Sequence, residues 1–177
     1  MTTLSTILKT LLATVVLVLV GGVAFIYSGI YDVSASTPDN AVVAWVVHAT
    51  SEASVAARLG QNKVPGDLDK PETILAGGKL FVQNCVVCHG APGLAATHIA
   101  LGLNPPPPDL YRANRKPDDQ ENFQFIHNGV KMTAMPAFGA SEGDDHVWQL
   151  VAFLKKLPGI SPADYARLSG GPTSSAN

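Results

Sequence analysis

The two cysteines of the chain stand three residues apart in NCVVCHG, residues 84–90, and a histidine follows the second directly. Four chemistries use such a pattern: a disulfide, half of a zinc site, a thiol redox centre, and covalent attachment of a cofactor. A structural zinc site needs four nitrogen or sulfur ligands, usually with a second closely spaced Cys/His pair, and the sequence has no such pair. A thioredoxin-like centre sets its C-x-x-C in a βαβ context, whereas Cys85 and Cys88 follow a segment that reads as a helix. A disulfide between cysteines three apart closes a small, strained loop and stabilises little. C-x-x-C-H is the attachment signature of c-type haem. One helical turn presents Cys85 and Cys88 to the two vinyl groups, and His89 turns its imidazole onto the iron.

The elements that must position these residues are helical. PETILAGGKLFVQNC, residues 71–85, opens on a proline and an acid, both suited to a helix amino terminus, and aligns Gly77, Phe81 and Cys85 on one face. Its glycine pair costs about 1 kcal/mol per residue against alanine, which close approach of another helix would explain. A long loop follows from Gly90 to Pro117, with four prolines at 105–108 that hold it extended. Residues 118–129 read as a helix capped by Gly129, and SEGDDHVWQLVAFLKKLP as a last helix with Ser141 as candidate cap, Lys155 and Lys156 in its last turn and Pro158 as its stop. The tail beyond Gly170 is glycine, serine and proline, a composition that suits mobility. No sustained period-2 pattern appears after residue 31, so the domain is all-α.

The hydrophobicity is unevenly spread. Between Lys9 and Asp32 lie 22 residues without a charge, 10–31, a helix roughly 33 Å long against a hydrocarbon core of about 30 Å. A cleaved signal peptide with its site at Val33-Ser34-Ala35 is the alternative. The run exceeds a usual signal core, however, and ends on Tyr27 and Tyr31, which suit an interface, so a retained single-pass anchor is expected. Lys9 before the span and Asp32 and Asp39 after it place residues 1–9 in the cytoplasm and the rest outside. Residues 32–71 form a juxtamembrane helical segment and linker, with a helix start at Thr37-Pro38-Asp39, Trp45 and His48 three apart on one face, and KVPGDLDKP as the boundary. His48 reads as an ordinary packing or surface residue. The formal charge of −2, with no broad basic patch, excludes nucleic acid as a partner.

From residue 72 to about 157 the chain resembles a class I cytochrome c. GKLFVQNCVVCHG, PPDL and HNGVKMTAMPAFG carry the resemblance, in the family's order, followed by WQLVAFLKKLP. It implies a small cytochrome c helical domain at 72–158, following the N-terminal transmembrane helix read from the uncharged run, with residues 159–177 as a tail. Its first and last helices would cross at Gly77 and Phe81 against Leu150 and Phe153. It implies one covalently attached haem c, with Met135 as the sixth iron ligand opposite His89. Met135 precedes Pro136, which keeps that stretch out of helix; Met132 is the alternative, and His98, His127 and His146 are the candidates for a bis-histidine site. A ligating histidine usually donates its second N–H to a carbonyl. In the family this acceptor belongs to a proline, here Pro108 or Pro107.

Histidine–methionine ligation leaves the iron no open position and suits outer-sphere electron transfer rather than catalysis. The resemblance therefore implies an electron-transfer protein, not an enzyme, on the periplasmic side of a bacterial inner membrane. Its donor would be a quinol-oxidising complex or dehydrogenase, and its acceptor a terminal oxidase or reductase. A haem enzyme or gas sensor with a labile sixth ligand, and a cytochrome subunit docked in a larger oxidoreductase complex, are the rival readings. From Glu72 to Ile160 seven Lys or Arg face eight Asp or Glu, so docking should be apolar and only weakly dependent on salt.

Overall fold

A computed structural model of the chain describes residues 2–116 and 118–171. Met1, Pro117 at the end of the expected loop, and all of the expected mobile tail beyond Gly171 lie outside the described residues. The described chain is all-helical, without strands, and divides into one unit ending at Thr37 and another beginning at Pro38.

The first unit is α1 (Thr2–Tyr27) and the turn after it. Its residues Thr3–Tyr27 are long and apolar enough to cross a membrane, with a mean hydropathy of 2.4. The helix starts ahead of residue 10, where the uncharged run begins. Two of its threonine hydroxyls are satisfied within the helix: Thr10 Oγ1 donates to Thr6 O at 3.0 Å and Thr14 Oγ1 to Thr10 O at 2.9 Å. Such back-bonding lets a hydroxyl sit in apolar surroundings without an unpaired donor.

The second unit holds seven helices among the described residues. They are α2 (Ala41–Ala56), α3 (Pro71–Asn84), α4 (Val86–His89), α5 (His98–Leu101), α6 (Asp119–Asn128), α7 (Gly139–Leu154) and α8 (Pro162–Ser169). The start of α2 falls later than Thr37-Pro38-Asp39: Asn40 is its cap, and its Oδ1 accepts from Val42 N and Val43 N at 3.0 Å each. α6 is capped by Asp118, whose Oδ1 accepts from Glu121 N at 2.8 Å. The loop expected from Gly90 onward contains the short turn α5, capped by Thr97, so His98 stands on a helix.

α3 crosses α7 at a glycine. A Cβ on Gly77 would lie 1.8 Å from Gln149 O, a backbone atom that cannot step aside. Directly below the crossing, Phe81 and Phe153 pack with ring centroids 5.3 Å apart, and both are fully buried. The second glycine serves another helix: a Cβ on Gly78 would lie 2.3 Å from Leu168 O of α8. The pair thus admits two backbones, one on each side of α3.

α8 departs from the expected tail beginning at residue 159. Tyr165 is fully buried and stands against Phe81 at 6.4 Å and Phe153 at 6.2 Å between ring centroids. Burying one aromatic side chain helps hold an eight-residue helix within the stretch read as a tail. α7 also differs from its sequence reading. It breaks at Gly143, with φ 79° and ψ 167°, so Ser141 sits in the turn before the break rather than capping the long segment, and Lys155 caps the helix's far end. Only glycine adopts that backbone without strain.

Candidate functional site

One turn of chain assembles the cysteine–histidine group. α3 ends at Asn84, Cys85 joins it to α4, and Cys88 N and His89 N both donate to Cys85 O, at 3.1 and 2.9 Å. Cys85, Cys88 and His89 therefore leave the backbone within a single turn and line the same cavity. Both cysteines are free thiols. Burial, with smaller contributions from Cys88 and Glu142, pushes the Cys85 thiol up to about 12. It stays neutral at pH 7 and is a poor thiolate nucleophile or metal ligand. Among the described residues no three His, Cys, Asp or Glu side chains gather to hold a metal ion, which leaves a structural zinc site without its donor set.

His89 is oriented from behind. Its Nδ1 lies 3.0 Å from the carbonyl oxygen of Pro108, nineteen residues on. With Nδ1–H donating there, the lone pair is on Nε2, the nitrogen left for a ligand. Burial holds the imidazole's pKa below its ordinary value, against the opposing pull of the Pro108 carbonyl and with some help from Arg115. Pro108, not Pro107, is the partner.

The segment carrying the two methionines is a tied loop. Val130 N donates to Met135 O at 3.1 Å, Thr133 Oγ1 to Val130 O at 2.8 Å, and Met135 N to Thr133 Oγ1 at 3.1 Å. Gly129, at φ 64°, permits the closure: a Cβ there would lie 2.6 Å from Pro136 C. The loop separates the methionines. Met135 is half-buried and lines the cavity with His89, while Met132 is 93% exposed. Three other histidines do not line this cavity: His127 pairs with Asp144 at 3.2 Å, His146 with Glu142 at 3.0 Å, and His98 lies on α5.

The cavity is about 530 Å³, within the size range of cofactor sites. Its walls are mostly apolar, from Leu103 and the prolines to Phe125, Ile126 and Leu154. At one place they carry polar groups that sequence reading missed. Arg115 Nη2 donates to Asn122 Oδ1 at 2.7 Å, while Arg115 Nη1 and Asn122 Nδ2 are buried without a partner among the described residues. Two buried donors left open cost free energy unless an acceptor arrives. A haem presents two propionate carboxylates, so these residues fit that group, as do the paired thiols and the oriented imidazole. No local signal could have shown this, since neither Arg115 nor Asn122 belongs to a motif. Glu121 and Glu52 also line the cavity; burial first, then the charges of Glu52 and Asp118, raise the Glu121 carboxyl above its usual range. His48, Ser51 and Glu52 bring α2 into the wall, a part the sequence reading did not give it.

Residues 72–154 match the family model described as cytochrome C oxidase, cbb3-type, subunit III. The match runs from the first turn of α3 to the end of α7, taking in Cys85, Cys88, His89, Pro108 and Met135 and leaving α1, α2 and α8 outside. No curated protein and no solved structure matches the chain.

Proposed function

Residues 72–154 are a class I c-type cytochrome domain, and from that premise we propose that the chain is a membrane-anchored monohaem electron carrier. When bound, the haem supplies an iron that takes up and releases one electron. Cys85 and Cys88 would hold it as thioethers, and the sequence offers one C-x-x-C-H for this. His89 would bind the iron through the nitrogen that its bond to Pro108 leaves free, and Met135 through the sulfur that its tied loop brings to the same cavity. Arg115 and Asn122 would bind the propionates. The apolar walls keep water from the site, and the rigid loop changes little when charge does, which favours fast outer-sphere transfer.

The observation that carries this reading is that His89 and Met135, 46 positions apart, line one cavity while Met132 and three histidines do not. α1 supports a single-pass anchor in a bacterial inner membrane with the haem domain on the periplasmic side. Anchoring raises the effective concentration of partners in the same membrane. Those partners are a quinol-oxidising complex or dehydrogenase as donor and a terminal oxidase or reductase as acceptor. The family description favours one second reading, a cytochrome subunit held within an oxidase complex.

Visible spectra of the membrane-expressed protein test the reading. Sharp reduced α and β bands, an oxidised methionine-to-iron band that vanishes in Met135→Ala, and indifference to carbon monoxide are the expected results. Ready carbon monoxide binding by the unmutated protein overturns the carrier in favour of a haem enzyme or gas sensor. Purification in mild detergent separates the free carrier from the docked subunit by the proteins that accompany it.

A further inference from the structure

α2 meets its domain through the half from His48 onward, where His48, Ser51 and Glu52 line the cavity. Near its carboxyl end Val55 is buried, and Gln124 Nε2 of α6 donates to Arg58 O at 3.1 Å and to Asn62 Oδ1 at 3.0 Å. Residues 44–50 are all exposed. At 100° per residue, Ser51 and Val55 face the domain, and Val42, Trp45, Val46, Ala49 and Ala53 form the opposite face. That face is wholly apolar apart from the indole N–H, with Val42 69%, Trp45 67% and Val46 47% exposed. No charged residue occurs between Asp39 and Glu52.

The chain itself limits where this face can be. Thirteen residues, 28–40, separate the end of α1 from the start of α2. Fully extended they reach about 45 Å. In a chain anchored by α1 that length is the farthest α2 can stand from the end of the span, so the bilayer surface lies within its reach. With 16 residues, α2 is about 24 Å long and too short to cross a hydrocarbon core of about 30 Å. An apolar helix face next to a membrane is suited to the headgroup boundary, where tryptophan also partitions.

We propose that the Val42–Trp45–Val46 face of α2 rests in the phospholipid headgroup layer of the membrane that α1 crosses, as a second attachment point for the cytochrome domain. The inference depends on the anchor reading above. It gives the outer face of α2, which does not line the cavity, a task distinct from haem binding: limiting rotation of the domain about its tether.

The test uses the full haem-loaded chain in vesicles of phosphatidylcholine and phosphatidylglycerol. Cys85 and Cys88 are consumed by haem attachment, so a cysteine introduced by Val42→Cys, Val46→Cys or Lys79→Cys is the one reactive thiol. Labelling by a charged, membrane-impermeant maleimide is measured for each, normalised to the rate in denaturant. Positions 42 and 46 are expected to react at least tenfold more slowly than exposed position 79 on α3, whatever the protein-to-lipid ratio. Equal rates in a chain that resists alkaline carbonate extraction overturn this inference and leave the anchor standing. Release by carbonate overturns the anchor and this inference with it. Protection that disappears below one chain per vesicle assigns the face to a second copy and overturns the lipid assignment.

Discussion

His89 Nδ1 stands 3.0 Å from Pro108 O, so a backbone carbonyl selects which imidazole nitrogen faces the cavity. This bond spans nineteen residues of loop and is held by prolines rather than by a helix. A donated N–H makes the imidazole a stronger ligand. Pro108→Ala frees the carbonyl to move, and the midpoint potential should rise, by up to on the order of 60 mV if the oxidised form loses about tenfold in ligand binding. Redox titration of the variant checks this; an unchanged potential with unchanged thermal stability argues against the role given to Pro108.

Gly77→Ala should be severe. The added methyl would meet Gln149 O at 1.8 Å, where no side chain can rotate away. Overpacking of this kind costs about 3 kcal/mol or more. The denaturation midpoint should fall correspondingly, and a loss below about 1 kcal/mol would mean that α3 and α7 can separate without penalty.

Tyr165→Ala tests whether α8 belongs to the cytochrome core. Tyr165 is fully buried between Phe81 and Phe153, and deleting such an aromatic costs about 3–5 kcal/mol. Stability should drop by that amount while the haem spectrum stays intact, because no residue of α8 lines the cavity of His89 and Met135. Loss within about 0.5 kcal/mol would make residues 162–169 an appendage after all.

Arg115→Leu removes the positive charge beside Asn122 from the cavity wall. Ferric haem carries one more positive charge than ferrous, so losing a nearby cation stabilises the oxidised form and lowers the midpoint potential. A charge near the protein surface contributes on the order of 1 kcal/mol to such a balance. Arg115→Lys should recover part of the shift, and a rise in potential would count against propionate binding here.

Before haem is attached, Cys85 should be unusually inert. Its thiol is pushed up to about 12 by burial, so alkylation by iodoacetamide at pH 8 should be slow and keep accelerating tenfold per pH unit beyond pH 9. The same shift makes the haem-free fold sensitive to alkali. Below the thiol's ordinary value of 9.0 both folded and unfolded chains are neutral at this site and nothing is lost. Between about 9 and about 12 only the unfolded chain ionises, so stability falls. Mass spectrometry of the alkylated peptide decides, and a rate that levels off near pH 9 would show an ordinary thiol.

Local chemistry was legible in the residues themselves. Cys85, Cys88 and His89 form a group because one helical turn brings them together wherever the chain folds. α1, α3, α6 and the long part of α7 are readable because uncharged length, helical periodicity and end signals are short-range properties. Pro136 distinguished Met135 from Met132 because a proline constrains its own neighbour. What tertiary structure decided is of longer range. Gly77 and Gly78 read as the approach of one other helix, and only packing assigned them to α7 and α8 separately. Arg115 reaches Asn122, and α2 enters the cavity wall through His48, Ser51 and Glu52. Those pairings are set by three-dimensional proximity between segments with no shared period, and nothing in the spacing of the residues encodes them.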